Sequence, residues 1–83
     1  MVSADFKAAR KVAGVKQVVR AIEKGMAQKV FVAKDADRRV LKPLLELCGE
    51  NGLAAETVDS MKELGRLCGI QVGAAAVAFL RDR

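Results

Sequence analysis

The side chains with the most potential for catalysis are Asp35 and Asp37, which lie two positions apart directly after an apolar run. Closely spaced carboxylates can act as acid and base or hold a divalent cation. Aspartates between a strand and a helix also cap the helix, and we prefer this structural interpretation. The chain has no histidine, and its only serines, Ser3 and Ser60, are better explained as helix caps. We therefore expect no catalytic residue and no metal; an enzyme that uses the aspartate pair with a divalent ion is kept as an alternative.

The stretch AGVKQVVRAIEKG, residues 13–25, predicts an amphipathic helix whose first turn is open. Its valines and isoleucine recur at helical spacing and form a buried stripe. Gly14 stands where Ser, Thr, Asn or Asp usually caps a helix. The backbone N–H groups of Val15, Lys16 and Gln17 are then left accessible at the positive end of the helix dipole, where an anion binds well.

Basic side chains lie beside this open helix end. Lys16, Arg20 and Lys24 recur every four residues and form one basic stripe. Such a stripe is by itself most often a solvated face, but its coincidence with an uncapped helix favours a polyanion site. Gln17 adds a side-chain amide that can donate and accept hydrogen bonds at base edges.

Positive charge is concentrated in the first half of the chain. Positions 1–42 hold eleven Lys or Arg and four Asp or Glu, whereas positions 43–83 hold four and six, so the net charges are +7 and −2. This asymmetry suggests a polyanionic partner such as nucleic acid. Phe6, Phe31 and Phe79 all have core-like positions, so stacking on aromatic rings is not expected.

Recognition of RNA would then depend on phosphates, base edges and aliphatic contacts. The aliphatic candidate is the loop Ile70-Gln71-Val72-Gly73. We expect Ile70 to complete the core, whereas Val72 either completes the core or contacts a ligand.

The two cysteines, Cys48 and Cys68, are twenty residues apart and have no CxxC spacing. We expect both to be reduced core side chains, because a zinc site needs four suitable ligands. No phosphate-binding glycine motif is present, so we expect no cofactor. No signal peptide is visible and no apolar run reaches about 18 residues, so we expect a cytoplasmic protein without a membrane partner. Because no long exposed apolar surface is evident, we expect a monomer.

Helices and short strands alternate along the chain. The predicted elements are a helix from Ser3 to about Lys11, a helix from about Val15 to Lys24 closed by Gly25, a strand at 30–33, a helix that starts near Arg39 or later with Pro43 in its first turn and ends at Asn51-Gly52, a strand at about 54–58, a helix begun by the Ser60/Glu63 capping box and ended at Gly69, and a strand at 74–80. This order indicates one α/β domain over residues 1–83, with helices on both faces of a sheet.

Four blocks carry a family resemblance: GVKQVVR at 14–20, VAKDAD at 32–37, SMKELG at 60–65 and CGIQVGAAAVA at 68–78. In this order and spacing they resemble the L7Ae/L30e ribosomal protein superfamily, most closely its small bacterial members that bind kink-turns. The match runs from about Arg10 to Leu80. The resemblance implies a three-layer α-β-α sandwich with a mixed four-stranded sheet. It also implies binding to kink-turns, which are sharply bent RNA helices with tandem sheared G·A pairs beside a three-nucleotide bulge.

The resemblance further implies roles for individual residues. Gly14 would permit close approach of the RNA, Lys16 and Gln17 would contact the G·A guanines, and Arg20 would meet the G·A region or adjacent phosphates. Asp37 and Leu41 would lie near a flipped-out bulge nucleotide, and Val72 would pack on unstacked bulge bases. The complete set of expected RNA-binding residues is Gly14, Val15, Lys16, Gln17, Arg20, Lys24, Lys34, Asp37, Leu41, Ile70, Gln71, Val72 and Gly73.

Two positions depart from the family pattern. Archaeal and eukaryotic members typically have Asn-Glu at the Lys16-Gln17 positions, and Lys-Gln resembles the bacterial variant. The position of Arg20 is usually lysine, which has the same charge but a different donor geometry. The expected partner is kink-turn RNA in ribosomal RNA, a riboswitch or another transcript, and the ribosome is kept as a further candidate partner. The alternative is a protein-interaction or ribosome-assembly module that has this fold but does not read kink-turns.

Overall fold

The computed structural model describes residues 9–81, in which helices and strands alternate around one mixed sheet. The strands are β1 (Lys11–Ala13), β2 (Ala27–Ala33), β3 (Ala55–Val58) and β4 (Ala76–Leu80), and the helices are α1 (Val15–Glu23), α2 (Arg38–Glu50) and α3 (Met61–Leu67). The strand order is β1-β4-β2-β3. Strand β4 runs antiparallel to β1 and β2, whereas β3 runs parallel to β2.

Both faces of the sheet are covered. Residues 30–33 of β2 and 76–79 of β4 are buried without interruption, and neighbouring side chains of a strand point to opposite faces. Helix α1 packs against α2 and crosses β1, β4 and β2, while α3 contacts β2, β3 and β4. The expected three-layer α-β-α sandwich with a mixed four-stranded sheet is confirmed.

The prediction that a first helix extends to about Lys11 is wrong at this carboxyl end. Lys11–Ala13 form β1, which pairs antiparallel with β4 in the register Lys11 to Phe79. This pairing satisfies backbone groups that β4 would otherwise expose as an edge strand. Val12 still packs on the core, but from a strand. Most of the expected helix, with Ser3 and Phe6, lies outside the described residues.

Helix α2 begins before the point that Pro43 suggested. Its first residue is Arg38, so Pro43 lies in the second turn instead of the first. The start is determined by Asp37, whose Oδ1 accepts a hydrogen bond of 2.8 Å from the Arg39 backbone N–H. Proline leaves the carbonyl four residues earlier without its helical donor, and here that residue, Arg39, is exposed to water.

Other predictions from the pattern are confirmed with small changes of boundary. Helix α1 ends at Glu23, with Gly25 in the left-handed conformation (φ 72°), and Ser60 Oγ caps α3 by accepting from the Glu63 N–H at 3.0 Å. Phe31 and Phe79 are buried, with ring centroids 4.9 Å apart. Strand β2 begins at Ala27, three residues earlier than expected, and β4 begins at Ala76, two residues later.

The thiols of Cys48 and Cys68 are both free. Cys48 is buried and Cys68 half-buried against the core, and burial raises the pKa of each thiol. The helices formed by residues 9–81 are all too short or too polar to cross a membrane.

Candidate nucleic-acid interface

One edge of the sheet gathers most of the residues that the sequence singled out. Strands β1, β2 and β3 end there and β4 begins there, because Ala13 pairs with Val77, Val32 with Ala76 and Ala33 with Val58. We call this the carboxyl edge and define it as residues 14–17, 34–37, 58–61 and 70–76. It brings together segments that are far apart in the sequence: the first turn of α1, the link from β2 to α2, the start of α3 and the loop before β4.

The start of α1 is an open helix end. Gly14 precedes the helix with φ 100° and ψ 145°, a conformation almost restricted to glycine, and no side chain caps the helix. The Gly14 N–H donates to the Ala76 carbonyl at 2.8 Å, which joins the helix start to β4. Within residues 9–81, the N–H groups of Val15, Lys16 and Gln17 have no acceptor, as expected for the first turn of an uncapped helix.

The other two helices are closed by side chains. Asp37 caps α2 as described above, and its Oδ2 also lies 3.5 Å from the Arg39 guanidinium. Asp35 Oδ1 accepts a 2.8 Å hydrogen bond from the Met61 N–H, so this aspartate caps α3 across 26 positions of sequence. The preferred interpretation of Asp35 and Asp37 as caps is confirmed, although Asp35 caps a different helix. Within residues 9–81, no three Cys, Asp or Glu side chains are grouped as a metal site would require.

Cations without ion-pair partners lie in the first two turns of α1 and directly after β2. Lys16, Arg20 and Lys34 are exposed, and none of them pairs with an acidic group within residues 9–81. The first turn of α1 has no acidic residue that would balance its N–H groups. In the same part of the chain Lys29, Arg39 and Arg66 pair with Glu56, Asp37 and Glu63. The carboxyl edge therefore combines a positive helix end with positive side chains.

The loop before β4 exposes aliphatic side chains at the same edge. Val72 is 72% exposed and Ile70 38% exposed, so the expectation that Ile70 completes the core is wrong. The reason is the turn that ends α3: Gly69 adopts φ 77°, and the Ile70 N–H donates to the Gly65 carbonyl at 3.0 Å. This turn leaves Ile70 at the surface. Gln71 and Gly73 are exposed as well.

Two expected RNA-binding residues lie away from this surface. Lys24 follows the last turn of α1, about 15 Å from Gly14 at 1.5 Å per residue. Leu41 is only 5% exposed and belongs to the core. An RNA base would reach it only through a cleft that Leu41 helps to line.

A cleft beside Leu41 is a feature that the sequence pattern did not predict. It has a volume of about 520 Å³ and lies between α2 and strands β2 and β3, with a partly apolar lining that includes Val32, Ala55 and Leu45. Lys34, Arg38 and Lys42 also line it. The signal was present in the sequence, because 34, 38 and 42 follow the same spacing of four as Lys16, Arg20 and Lys24. A helix that starts near Arg39 or later, with Pro43 in its first turn, leaves Arg38 outside the helix, so the prediction did not place these cations together.

Comparisons with known proteins agree with this architecture. The family model described as Ribosomal protein L7Ae/L30e/S12e/Gadd45 family matches residues 3–83. A protein of Geobacillus sp. (strain WCH70) named RNA-binding protein is 48% identical over 76 residues, which cover 92% of this chain and 93% of that protein. The large ribosomal subunit protein eL8 of Halobacterium salinarum is 38% identical over 68 residues, which cover 81% of this chain and 57% of eL8.

A solved structure shares the fold. The Giardia lamblia 15.5kD RNA binding protein has a TM-score of 0.86, with 98% of this chain and 68% of that chain covered and 22% sequence identity. The family model spans nearly the whole chain. Two bacterial relatives are 48% and 47% identical to this chain in sequence, and each alignment covers 92% of it. This chain belongs to the ribosomal protein L7Ae/L30e/S12e/Gadd45 family.

Proposed function

We propose that this protein binds RNA without catalysing a reaction, and that it recognises and stabilises kink-turns. The observation that carries the proposal is the open start of α1, where free N–H groups adjoin the unpaired cations Lys16 and Arg20. The names of the bacterial relatives support RNA as the ligand. The kink-turn is supported by the ordered blocks that resemble the small kink-turn-binding members of the family.

The carboxyl edge offers three kinds of contact to a bent RNA. The N–H groups of α1 with Lys16 and Arg20 suit phosphates and guanine acceptors, because both are rich in negative charge or lone pairs. Gln17 is exposed and can pair with a base edge. Val72 offers an aliphatic surface to an unstacked base in a chain without Trp or Tyr.

Recognition then acts on an RNA equilibrium. A kink-turn interconverts between an extended and a bent form, and a protein that contacts only the bent form shifts the population towards it. To move the ratio from 1:99 to 99:1, the bent form must bind about 10⁴-fold more tightly than the extended form. A single copy of the protein in the cytoplasm is sufficient, in this proposal, to shift the RNA towards its bent form. The name of the halobacterial relative favours ribosomal RNA as one place where such a motif is met.

A mobility-shift comparison tests the proposal. One RNA contains a kink-turn, and the second is the same RNA with its G·A pairs changed to Watson–Crick pairs. We expect tight binding to the first and weak, salt-sensitive binding to the second. Equal affinity for both RNAs would contradict the proposal and would favour a protein-interaction or ribosome-assembly module that has the same fold.

A further inference from the structure

We infer that Asp35 is a positioning residue for RNA recognition, because it holds the Val72 loop at a fixed place relative to the open end of α1. The Val72 loop is defined here as residues 70–75. Asp35 acts through α3 and need not touch the RNA itself. The inference depends on the proposed function, since it concerns how two contact surfaces of the same site are kept in register.

The first link joins Asp35 to α3. Asp35 Oδ1 accepts a hydrogen bond of 2.8 Å from the Met61 N–H, the first residue of α3. The backbone beside Asp35 is itself fixed, because the Lys34 N–H donates to the Val58 carbonyl at 2.8 Å. A carboxylate at a helix start is also favoured by the helix dipole. The end of β2 and the start of α3 are therefore joined by a side chain.

The second link joins α3 to the Val72 loop. The Met61 carbonyl accepts a hydrogen bond of 3.0 Å from the Ala74 N–H. Gly65 packs so closely on the loop that a Cβ there would lie 2.2 Å from the Val72 carbonyl oxygen. A Cβ on Gly73 would lie 3.1 Å from the Met61 Cβ. The hydrogen bond and the close approach at Gly65 and Gly73 therefore join the loop to α3.

The third link joins the far end of the loop to α1. The Ala75 carbonyl accepts from the Ala33 N–H at 2.9 Å, and the Ala76 carbonyl accepts from the Gly14 N–H at 2.8 Å. The loop is thus anchored on one side by β4 and on the other by α3. Asp35 joins the start of α3 to the end of β2, and Val72, which is 72% exposed, lies in the loop between α3 and β4.

Charge and geometry make opposite predictions for removal of Asp35. Loss of an exposed carboxylate near an RNA site raises affinity for phosphates if only charge matters. Loss of the Met61 hydrogen bond lowers kink-turn affinity if position matters. Asp35→Ala and Asp35→Asn remove the same charge, but asparagine keeps an oxygen that can cap a helix.

The experiment measures kink-turn and plain-duplex affinity for both variants at a temperature where circular dichroism shows them folded. We expect Asp35→Ala to weaken kink-turn binding about tenfold and to leave duplex binding unchanged or slightly tighter. We expect Asp35→Asn to stay within about threefold of the wild type. A 2-aminopurine in the RNA bulge should report a changed environment with Asp35→Ala alone. Asp59→Asn is the charge control, because the Asp59 side chain makes no hydrogen bond within residues 9–81.

Equal kink-turn affinity of Asp35→Ala and Asp35→Asn would overturn the inference, as would a loss that is the same for duplex and kink-turn. If Asp35→Ala does not fold, Asp35→Glu keeps the charge and displaces the oxygen by one methylene. In that case unchanged binding by Asp35→Glu would contradict the inference. Failure of the proposed function is a separate result, because it is seen in the wild type, as equal binding to RNAs with and without G·A pairs.

Discussion

At the scale of single residues, Gly14 shows how one conformation can set the character of a helix end. Its φ of 100° excludes the residues that usually cap helices, so the first turn of α1 has N–H groups without a side-chain acceptor. The sequence showed the missing cap. It did not show the hydrogen bond to Ala76, because that contact joins residues 62 positions apart.

Gly14→Ala should lower the free energy of unfolding by about 1–3 kcal/mol, because alanine is strained at this φ. Steric overlap does not contribute to this loss of stability, because a Cβ added at position 14 would have no atom within 4 Å. Urea denaturation monitored by circular dichroism measures the change. An unchanged midpoint would mean that the backbone at position 14 relaxes to a negative φ.

Lys16→Ala and Gln17→Ala should each weaken kink-turn binding far more than duplex binding. Both side chains are exposed in the first turn of α1, where the proposed G·A contacts are made. Titrations of both RNAs at one salt concentration separate the two effects. If Gln17→Ala lost equal affinity for duplex and kink-turn, Gln17 would not read bases.

At the scale of elements, the packing of α3 on the Val72 loop depends on Gly65. A Cβ at this position would overlap the Val72 carbonyl oxygen at 2.2 Å, so the helix and the loop must separate to admit it. Gly65→Ala should therefore lower the free energy of unfolding by about 1–3 kcal/mol and weaken kink-turn binding.

Gly49→Ala is the matched control for Gly65→Ala. Gly49 lies inside α2, is exposed, and would have no atom within 4 Å of a Cβ. There the substitution should stabilise the protein by about 0.5–1 kcal/mol, because alanine favours a helix interior. Thermal unfolding of the two variants gives opposite shifts if the close approach at Gly65 is essential. Similar shifts would contradict this role.

Elements with a local signal were predictable from the sequence. Helix α1 follows from its apolar period, β2 from its apolar run, and α3 from the Ser60/Glu63 capping spacing. Elements that depend on distant partners were not. Strand β1 is a strand because β4 pairs with it, and Ile70 is exposed because of the turn at Gly69.

In the candidate site too, local features were predictable from the sequence and features that depend on distant residues were not. The open end of α1 and its basic stripe could be predicted, because both are contained in one helix. The contact of Asp35 with Met61 could not, since it spans 26 residues. The burial of Leu41 and the cleft beside it also result from how α2 lies on the sheet, which periodicity alone does not reveal.

At the scale of the whole molecule, positive charge is concentrated in the first half of the chain. The fold brings part of this positive charge to the carboxyl edge. The half with net charge +7 contains β1, α1, β2 and the start of α2, and the carboxyl edge lies where β1 and β2 end and where α1 and α2 begin. Lys16 and Lys34 lie at this edge, whereas Lys29 lies near the start of β2 and pairs with Glu56 at 2.8 Å. Binding of RNA should therefore be strongly dependent on salt.

Arg20→Ala should reduce the slope of log affinity against log salt concentration by about 1, and Lys24→Ala should do the same only if the RNA extends along α1 as far as its last turn. The measurement is a titration at several salt concentrations. Lys29→Ala is the control, because it removes the same charge far from the carboxyl edge. An unchanged slope for Lys24→Ala would restrict the RNA contact to the first two turns of α1.

At the open end of α1, the stability of the free protein and its affinity for RNA favour different residues. Lys16 is a cation at the positive end of a helix dipole, so the free protein is less stable than it would be with an acid at this position. Lys16→Glu should raise the free energy of unfolding of the free protein by about 0.5–1 kcal/mol and abolish its binding to RNA. A selection for heat resistance alone would therefore erode this helix end, and only a selection that includes RNA would retain it.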